Sequence, residues 1–165
     1  MIRRGMEKDI PFLLDIYNDA ILNSTATFDL ETKSLEDRKQ WYYAHNGTHP
    51  LLVYERDERA IAYASLSTYR EKKAFDGSVE LSIYIHKDYR GIGIGKQLME
   101  AILRLAKEID EIHTVVSVIT GGNETSDKLH EKFGFTYCGL VKEAGYKFGQ
   151  YLDIKTYQII MSKQS

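Results

Sequence analysis

The chain of 165 residues carries 22 Lys and Arg against 24 Asp and Glu, which gives a formal net charge of -2. Its 43% hydrophobic and 28% charged residues are typical of a globular protein and exclude a disordered or membrane-embedded chain. The charge balance argues against a nucleic-acid partner, because such proteins usually carry a basic surplus that meets phosphates.

The length fits one domain, and since no linker, repeat or low-complexity tract occurs, we expect a single domain over residues 1–165. The single cysteine, Cys138, excludes an internal disulfide and a cysteine cluster for zinc, and we expect no metal. The first ten residues lack an apolar signal-peptide core, and no apolar run approaches the roughly 20 residues that span a bilayer. We therefore expect a cytoplasmic protein without membrane contact.

The N-terminal third predicts a short strand and two helices. Ile2–Arg4 favours a strand, and Glu7–Asn23 has its apolar residues on one helical stripe. Ser34 with Asp37 three residues later resembles a capping box, so a second helix is predicted to run to about residue 44.

The centre of the chain predicts three strands. Two strands are expected over residues 51–55 and 60–68, followed by a charged loop over residues 69–77. In Val79–His86, apolar residues alternate with polar ones, which is the clearest strand pattern in the sequence.

The C-terminal half begins at a glycine-rich turn, Arg90–Lys96, and the pattern after it predicts alternating helices and strands. The predicted elements are a helix to about residue 110, a strand over 114–119 buried on both faces, a helix over 123–133, and strands over 135–143 and 152–161 separated by a loop at 145–150. The order β-α-α-β-β-β-α-β-α-β-β predicts an α/β fold: a mixed sheet of about seven strands, with about four helices on both faces and a βαβ crossover at the glycine turn.

The glycine turn has the form Arg-x-x-Gly-x-Gly if Arg90 is counted as its first residue. Glycines allow positive φ and close approach of a ligand to the backbone, and the helix that follows directs free N–H groups at the same place, so a pyrophosphate is the natural guest. A Walker A loop is excluded because Arg90 stands where its first glycine belongs and Gln97 where its Ser or Thr belongs. The dinucleotide fingerprint fails because Lys96 or Leu98 stands at its third glycine. A tight turn without a ligand is the alternative.

This loop resembles the acyl-CoA pyrophosphate loop of the GNAT superfamily of N-acyltransferases. The order and spacing of further segments resemble the branch of phosphinothricin and methionine sulfoximine N-acetyltransferases over nearly all of Ile2–Met161. These segments are Ile16-Tyr17-Asn18, Ala26-Thr27-Phe28, Val79-Glu80, Ile83-Tyr84-Ile85-His86, Leu129-His130-Glu131, Gly134-Phe135 and Lys147-Phe148-Gly149. The resemblance implies a GNAT-type fold, acetyl-CoA as co-substrate and acetyl transfer to the primary amine of a small amino-acid-like substrate.

Two residues are expected to carry the chemistry. An aliphatic amine is protonated at pH 7, so it needs a base, and the leaving thiolate benefits from an acid. The resemblance implies that Glu80 is the base, acting through a water, and that His130 protonates the thiolate, a role that a Tyr often fills in the wider superfamily. The alternatives are a solvated strand carboxylate for Glu80 and a surface histidine for His130.

The resemblance also implies the binding residues. The backbone of Ile83, Tyr84 and Ile85 would contact the pantetheine arm, and the Asn123 and Ser126 end of a helix would contact the cofactor, with Asn123 also an N-cap. The pyrophosphate would be bound by Arg90, Gly91, Ile92, Gly93, Ile94, Gly95 and Lys96.

The acceptor pocket is expected to use the loop before the catalytic strand. Arg70 and Lys72 match the positions at which this branch binds a carboxylate, although Lys72 lacks the bidentate fork of the Arg that is common there. Phe28, Tyr69 and Phe75 would form the walls. A charged, mobile loop without a ligand is the alternative for this segment.

Two other functions remain open. The acceptor could be a protein or peptide amine or a polyamine, or the chain could be an acyl-CoA-binding sensor without turnover. Members of the branch pair as homodimers, and we expect the same here.

Overall fold

The computed structural model describes residues 1–162, and in this range it has seven strands and four helices in the predicted order. The strands are β1 (Ile2–Arg4), β2 (Leu51–Arg56), β3 (Arg59–Thr68), β4 (Ser78–Ile85), β5 (Thr114–Thr120), β6 (Thr136–Lys147) and β7 (Gln150–Ile160). The helices are α1 (Ile10–Asn23), α2 (Leu35–Tyr43), α3 (Ile94–Glu108) and α4 (Glu124–Lys132).

The helix starts follow local chemistry. Ser34 and Asp37 form the predicted capping box at α2, and the Asn123 side chain accepts from the Ser126 N–H at α4. The predicted start of the first helix at Glu7 is wrong, because Glu7–Asp9 forms a separate 3₁₀ turn and α1 begins at Ile10. Pro11, which fits the first turn of a helix, follows at once.

The seven strands form one mixed sheet in the order β1-β2-β3-β4-β5-β7-β6. Only the β4–β5 pair is parallel, and α3 connects these two strands as the predicted βαβ crossover. β4 pairs with β3 over seven positions, from Val79 opposite Thr68 to Ile85 opposite Ala62. The sheet therefore places the end of β4 beside the glycine turn.

Helices cover both faces of the sheet, as predicted. On one face α3 packs through Leu98 and Ile102 against Ala64 and Leu81, together with the fully buried Met99, which the predicted apolar stripe did not include. On the other face α1 packs through Leu13 and Ile16 against β2 and β3. Along β4, side chains of odd number face α3 and those of even number face α1 and α2.

The predicted loop at residues 145–150 is wrong, because β6 and β7 continue through most of it. Gly145, Tyr146 and Lys147 pair with residues 152, 151 and 150, which leaves only two residues in the turn. These are Phe148 and Gly149, with φ of 53° and 74°, and two successive residues of positive φ make the tight hairpin turn that suits twisted strands.

Candidate active site

β4 and β5 separate at the centre of the sheet. Their parallel pairing ends at Glu80 opposite Val116, while β4 continues along β3 and β5 continues along β7. The strands splay apart beyond this point and leave a wedge at their carboxyl ends. Val118 of β5 lines this wedge and is 41% exposed, so the prediction that β5 is buried on both faces is wrong at this residue.

The wedge exposes backbone hydrogen-bonding groups. The His86 N–H donates to the Ile61 carbonyl at 2.8 Å, and antiparallel ladders alternate, so the backbone groups of Leu81, Ile83 and Ile85 face away from β3. Beyond the end of the β4–β5 pairing these groups have no strand neighbour. An extended ligand can therefore pair with β4 as an added strand would.

A cavity of about 970 Å³, the larger cavity, occupies the wedge and extends over the glycine turn to the start of α4. All but one of the residues predicted to bind the cofactor line it; the exception is the exposed Ile92. Those that line it are Ile83, Tyr84, Ile85, Arg90, Gly91, Gly93, Ile94, Gly95, Lys96, Asn123 and Ser126.

The glycine turn has the backbone that its sequence predicts at two positions. Gly91 and Gly93 have φ of 77° and 89°, and Gly93 caps α3, whose first N–H groups point at the larger cavity. Gly95 lies inside α3, where a Cβ would lie 3.4 Å from the Ile85 Cδ1 atom. The third glycine therefore serves close approach to β4 and not a positive φ.

The rim of the larger cavity is cationic. Arg90, Lys96, Lys128 and Lys132 all line it, and Arg90 is anchored by a 3.2 Å bond from Nε to the Ile85 carbonyl oxygen. Contact with the neighbouring Lys96 lowers the pKa of Lys132. Two ammonium groups this close, beside free helix N–H groups, fit an anionic guest such as a pyrophosphate.

A second cavity of about 410 Å³, the smaller cavity, lies on the opposite face of β4. Its floor consists of three side-chain pairs across β3 and β4: Tyr63 opposite Tyr84, Ser65 opposite Ser82, and Ser67 opposite Glu80. Two small serines at the middle pair leave room that larger side chains would fill. Ser82 and Tyr84 line both cavities, so the two spaces meet at β4.

Glu80 lies at one end of this floor. Its carboxyl group is more than half buried, and this burial raises its pKa above the ordinary value of 4.5. No ion pair in the described part of the chain involves it, and it faces the smaller cavity. A half-buried carboxylate without a cation is suited to accept a proton near neutral pH.

The roof of the smaller cavity comes from α1, α2 and the segment after α1. Phe28 fits against Gly145, where a Cβ would lie 2.2 Å from its ring, so a side chain there would displace it. The Lys147 ammonium donates to the Thr27 carbonyl at 2.8 Å and holds this segment against β6. The other roof residues include Tyr17, Arg38 and Trp41.

Of the predicted acceptor residues, the structure brings only Phe28 into the smaller cavity. Tyr69, Arg70, Lys72 and Phe75 line neither cavity of this chain. Arg70 packs on the rings of Tyr69 and Phe75, at 5.0 and 5.8 Å from their centroids, because the loop after β3 folds onto itself. Arg70 and Lys72 are exposed to solvent.

His130 is 6% exposed and lines the larger cavity from α4, so the alternative of a surface histidine is wrong. Its Nδ1 atom lies 2.7 Å from the Ser126 carbonyl oxygen, and burial lowers its pKa. Its Nε2 atom is buried and has no hydrogen-bond partner among residues 1–162. The ring therefore favours the neutral form with its proton on Nδ1.

The sequence did not reveal several residues of the smaller cavity. Arg38, Trp41, Tyr17 and Tyr63 meet from α2, α1 and β3 around one guanidinium group. The capping box located α2, but α2 has no apolar stripe that would show which of its faces is buried. Only the tyrosine and serine positions of β3, opposite those of β4, could have indicated the floor.

Two searches of the described residues gave negative findings. Within residues 1–162, no helix combines the length and the apolar character needed to cross a membrane. In the same range, no group of three or more His, Cys, Asp and Glu could hold a metal ion.

Comparisons with known proteins agree with this geometry. The model of the acetyltransferase (GNAT) family matches residues 13–135. The L-methionine sulfoximine/L-methionine sulfone acetyltransferase of Pseudomonas aeruginosa is 35% identical over 160 residues, which cover 96% of this chain and 92% of the relative. The phosphinothricin N-acetyltransferase of Streptomyces coelicolor is also 35% identical, over 95% of this chain and 94% of its own length.

Two solved structures have the same fold. The yncA protein of Salmonella typhimurium, solved with its cofactor acetyl-CoA, is 30% identical with a TM-score of 0.95, over 100% of this chain and 95% of that one. The ribosomal-protein-alanine N-acetyltransferase of Brucella melitensis is 39% identical with a TM-score of 0.93, over 97% of this chain and 99% of that one.

Proposed function

The chain belongs to the GNAT acetyltransferase family, and we propose that it transfers the acetyl group of acetyl-CoA to the primary amine of a small amino-acid-like substrate. The observation that carries this proposal is the meeting of two cavities at β4. The larger cavity has the cationic rim and open strand edge that acetyl-CoA needs, and the smaller one presents a half-buried carboxylate.

The larger cavity fits acetyl-CoA by its donors. In our proposal the N–H groups of Gly91, Gly93 and the first turn of α3 bind the pyrophosphate, together with Lys96. The backbone groups of Ile83 and Ile85 pair with the pantetheine arm, and one of their N–H groups donates to the thioester carbonyl oxygen. This donation stabilises the negative charge that develops on that oxygen as the amine attacks.

Glu80 is the base in this proposal. The protonated amine loses a proton to Glu80 through a water, its nitrogen attacks the thioester carbon, and the C–N bond forms as the C–S bond breaks. The raised pKa of Glu80 suits this role, because a base accepts protons efficiently when its pKa lies nearer the working pH. CoA leaves as the thiolate and takes up a proton.

The smaller cavity supports a small acceptor. Its volume of about 410 Å³ is that of a small-molecule site, and the segment at residues 26–29 closes it from above. The relatives named for methionine sulfoximine, methionine sulfone and phosphinothricin act on compounds of this size. A protein amine is the second candidate, because one similar structure carries the name of a ribosomal-protein-alanine N-acetyltransferase.

We also propose that two copies of the chain form a homodimer. The hairpin of β6 and β7, at the edge of the sheet, exposes large apolar side chains to solvent. Such a surface usually marks an interface. The exposed apolar residues of this hairpin are Tyr137, Leu140, Val141, Tyr146, Phe148, Tyr151 and Ile160.

The direct test measures CoA release from acetyl-CoA, with a thiol reagent, across a panel of amines. The panel holds phosphinothricin, methionine sulfoximine, methionine sulfone, ordinary amino acids, spermidine and a peptide with an N-terminal alanine. Turnover confined to the amino-acid-like compounds supports the proposal. Turnover with the peptide or spermidine alone would replace the acceptor. Acetyl-CoA binding without turnover of any amine would favour a sensor.

A further inference from the structure

Arg38 is a buried cation without an anionic partner. Its side chain is 3% exposed, and its guanidinium carbon lies 3.6 Å from the centroid of the Trp41 ring and 4.6 Å from that of Tyr17. Nη2 donates to the Tyr63 hydroxyl at 2.5 Å, while the buried Nε has no hydrogen-bond partner among the described residues. Within residues 1–162, no ion pair involves Arg38.

The carboxylates closest along the roof are engaged elsewhere. Asp37 accepts from the Ser34 N–H in the capping box of α2. Asp29 accepts from the Tyr17 hydroxyl and lies 3.7 Å from the Lys33 ammonium. Neither carboxylate balances the guanidinium, although both line the smaller cavity with it.

A buried, unpaired charge is costly, and so is a buried N–H group without an acceptor. An arginine meets both needs with one carboxylate, because its planar fork matches the two oxygens of that group. The aromatic rings of Tyr17, Trp41 and Tyr63 fix the plane of the fork, so little freedom would be lost when an anion binds.

We propose that Arg38 binds the carboxylate of the acceptor amino acid and so selects substrates that carry this group. The inference rests on the proposed function and names the determinant of its substrate class. It moves the carboxylate site away from Arg70 and Lys72. Arg38 bonds to Tyr63 at one end of the cavity floor, and Glu80 lies at the other end, with the Ser65–Ser82 pair between them. A carboxylate held at Arg38 directs the rest of the acceptor along this floor towards Glu80.

The test compares two acceptors that differ only in this group, methionine sulfone and its carboxamide. For the wild-type chain, kcat/KM should favour the acid by about 10- to 100-fold, the range expected for hydrogen bonds to a charged group. Arg38→Gln should remove this preference by raising KM for the acid and leaving the carboxamide nearly unchanged. Arg38→Lys keeps the charge without the fork and should retain part of the preference.

The controls separate this role from a structural one. Arg104→Gln removes an exposed cation on α3 and should keep the full preference. A purely structural role for Arg38 would raise KM for acid and carboxamide alike, which would overturn the proposal. So would loss of the preference in Arg70→Gln with retention in Arg38→Gln. If Arg38→Gln fails to fold, the ratio measured for Arg38→Lys decides, because an unchanged ratio would contradict the fork.

The wild-type chain distinguishes this inference from the function beneath it. If it acetylates neither methionine sulfone nor the carboxamide while other amines turn over, the proposed acceptor class fails. If it acetylates both equally well, the acceptor class stands and the inference about Arg38 is wrong.

Discussion

His130 shows how one side chain changes the expected chemistry. Its Nδ1 atom contacts the Ser126 carbonyl oxygen at 2.7 Å, and burial lowers its pKa below the ordinary value of 6.5. The ring is therefore neutral at pH 7 to 8, and its one N–H group is occupied within α4. We expect His130 to brace α4 beside the larger cavity rather than to protonate the thiolate.

His130→Asn tests this expectation, because Asn can still donate to the Ser126 carbonyl. We predict that kcat falls by less than about tenfold and that the pH profile of kcat keeps its shape, since general acid catalysis is worth about 10²- to 10⁴-fold. His113→Asn, at an exposed histidine, is the control. A loss of 100-fold or more, together with the disappearance of the basic limb of the profile, would assign the proton to His130.

Single residues were predicted unequally well from the sequence. Glu80 and the glycines stand in local patterns, and the structure places them where the resemblance implies. Arg38 belongs to no local pattern, because its burial depends on Tyr17 and Tyr63, which are distant in sequence. The acceptor role of Arg70 and Lys72 stays a prediction, and the cavity of this chain does not include them.

At the scale of elements, the glycine turn converts backbone geometry into affinity. Gly93, with φ of 89°, caps α3 and lines the larger cavity. Gly93→Ala forces a Cβ into the left-handed region, at a cost of about 1–2 kcal/mol. We predict that the KM for acetyl-CoA rises about tenfold while the KM for the amine changes little.

Gly47→Ala is the matched control for this prediction. Gly47 also has a positive φ, 58°, and a Cβ there would meet no atom within 4 Å, but it lies between α2 and β2, outside both cavities. It should lower the midpoint of thermal unfolding without changing the KM for acetyl-CoA. An equal rise in KM in both variants would mean that strain, and not the turn itself, is measured.

The order of elements was predictable because strand alternation, capping residues and glycines are local signals. The length of the final hairpin was not, because a two-residue turn at Phe148 and Gly149 needs no loop and allows β6 and β7 to pair further. The splay of β4 from β5 also has no local signal, since both strands keep regular partners on their other side.

For the whole molecule, the exposed hairpin predicts a stable pair of chains. Sedimentation at micromolar concentration should give twice the 19.0 kDa mass of the chain. Val141→Asp puts a charge at a residue of β6 that is 57% exposed, so it should shift the protein towards the monomer. Leu22→Asp, at an exposed residue of α1, should leave the mass unchanged. Wild-type protein that sediments as a monomer would refute the pairing.

The measurement that tests the central claim most directly is kcat/KM for the best amine across pH, in the wild-type chain and in Glu80→Gln. Glu80 acts when deprotonated, and its pKa is raised, so wild-type kcat/KM should rise with pH along an acidic limb whose midpoint lies above 4.5. Glu80→Gln should lose this limb and about 10²- to 10⁴-fold in rate, with unchanged acetyl-CoA affinity, while the exposed Glu108→Gln should match the wild-type chain. A Glu80→Gln variant that keeps the limb and stays within threefold of the wild-type rate would contradict the assignment of the base.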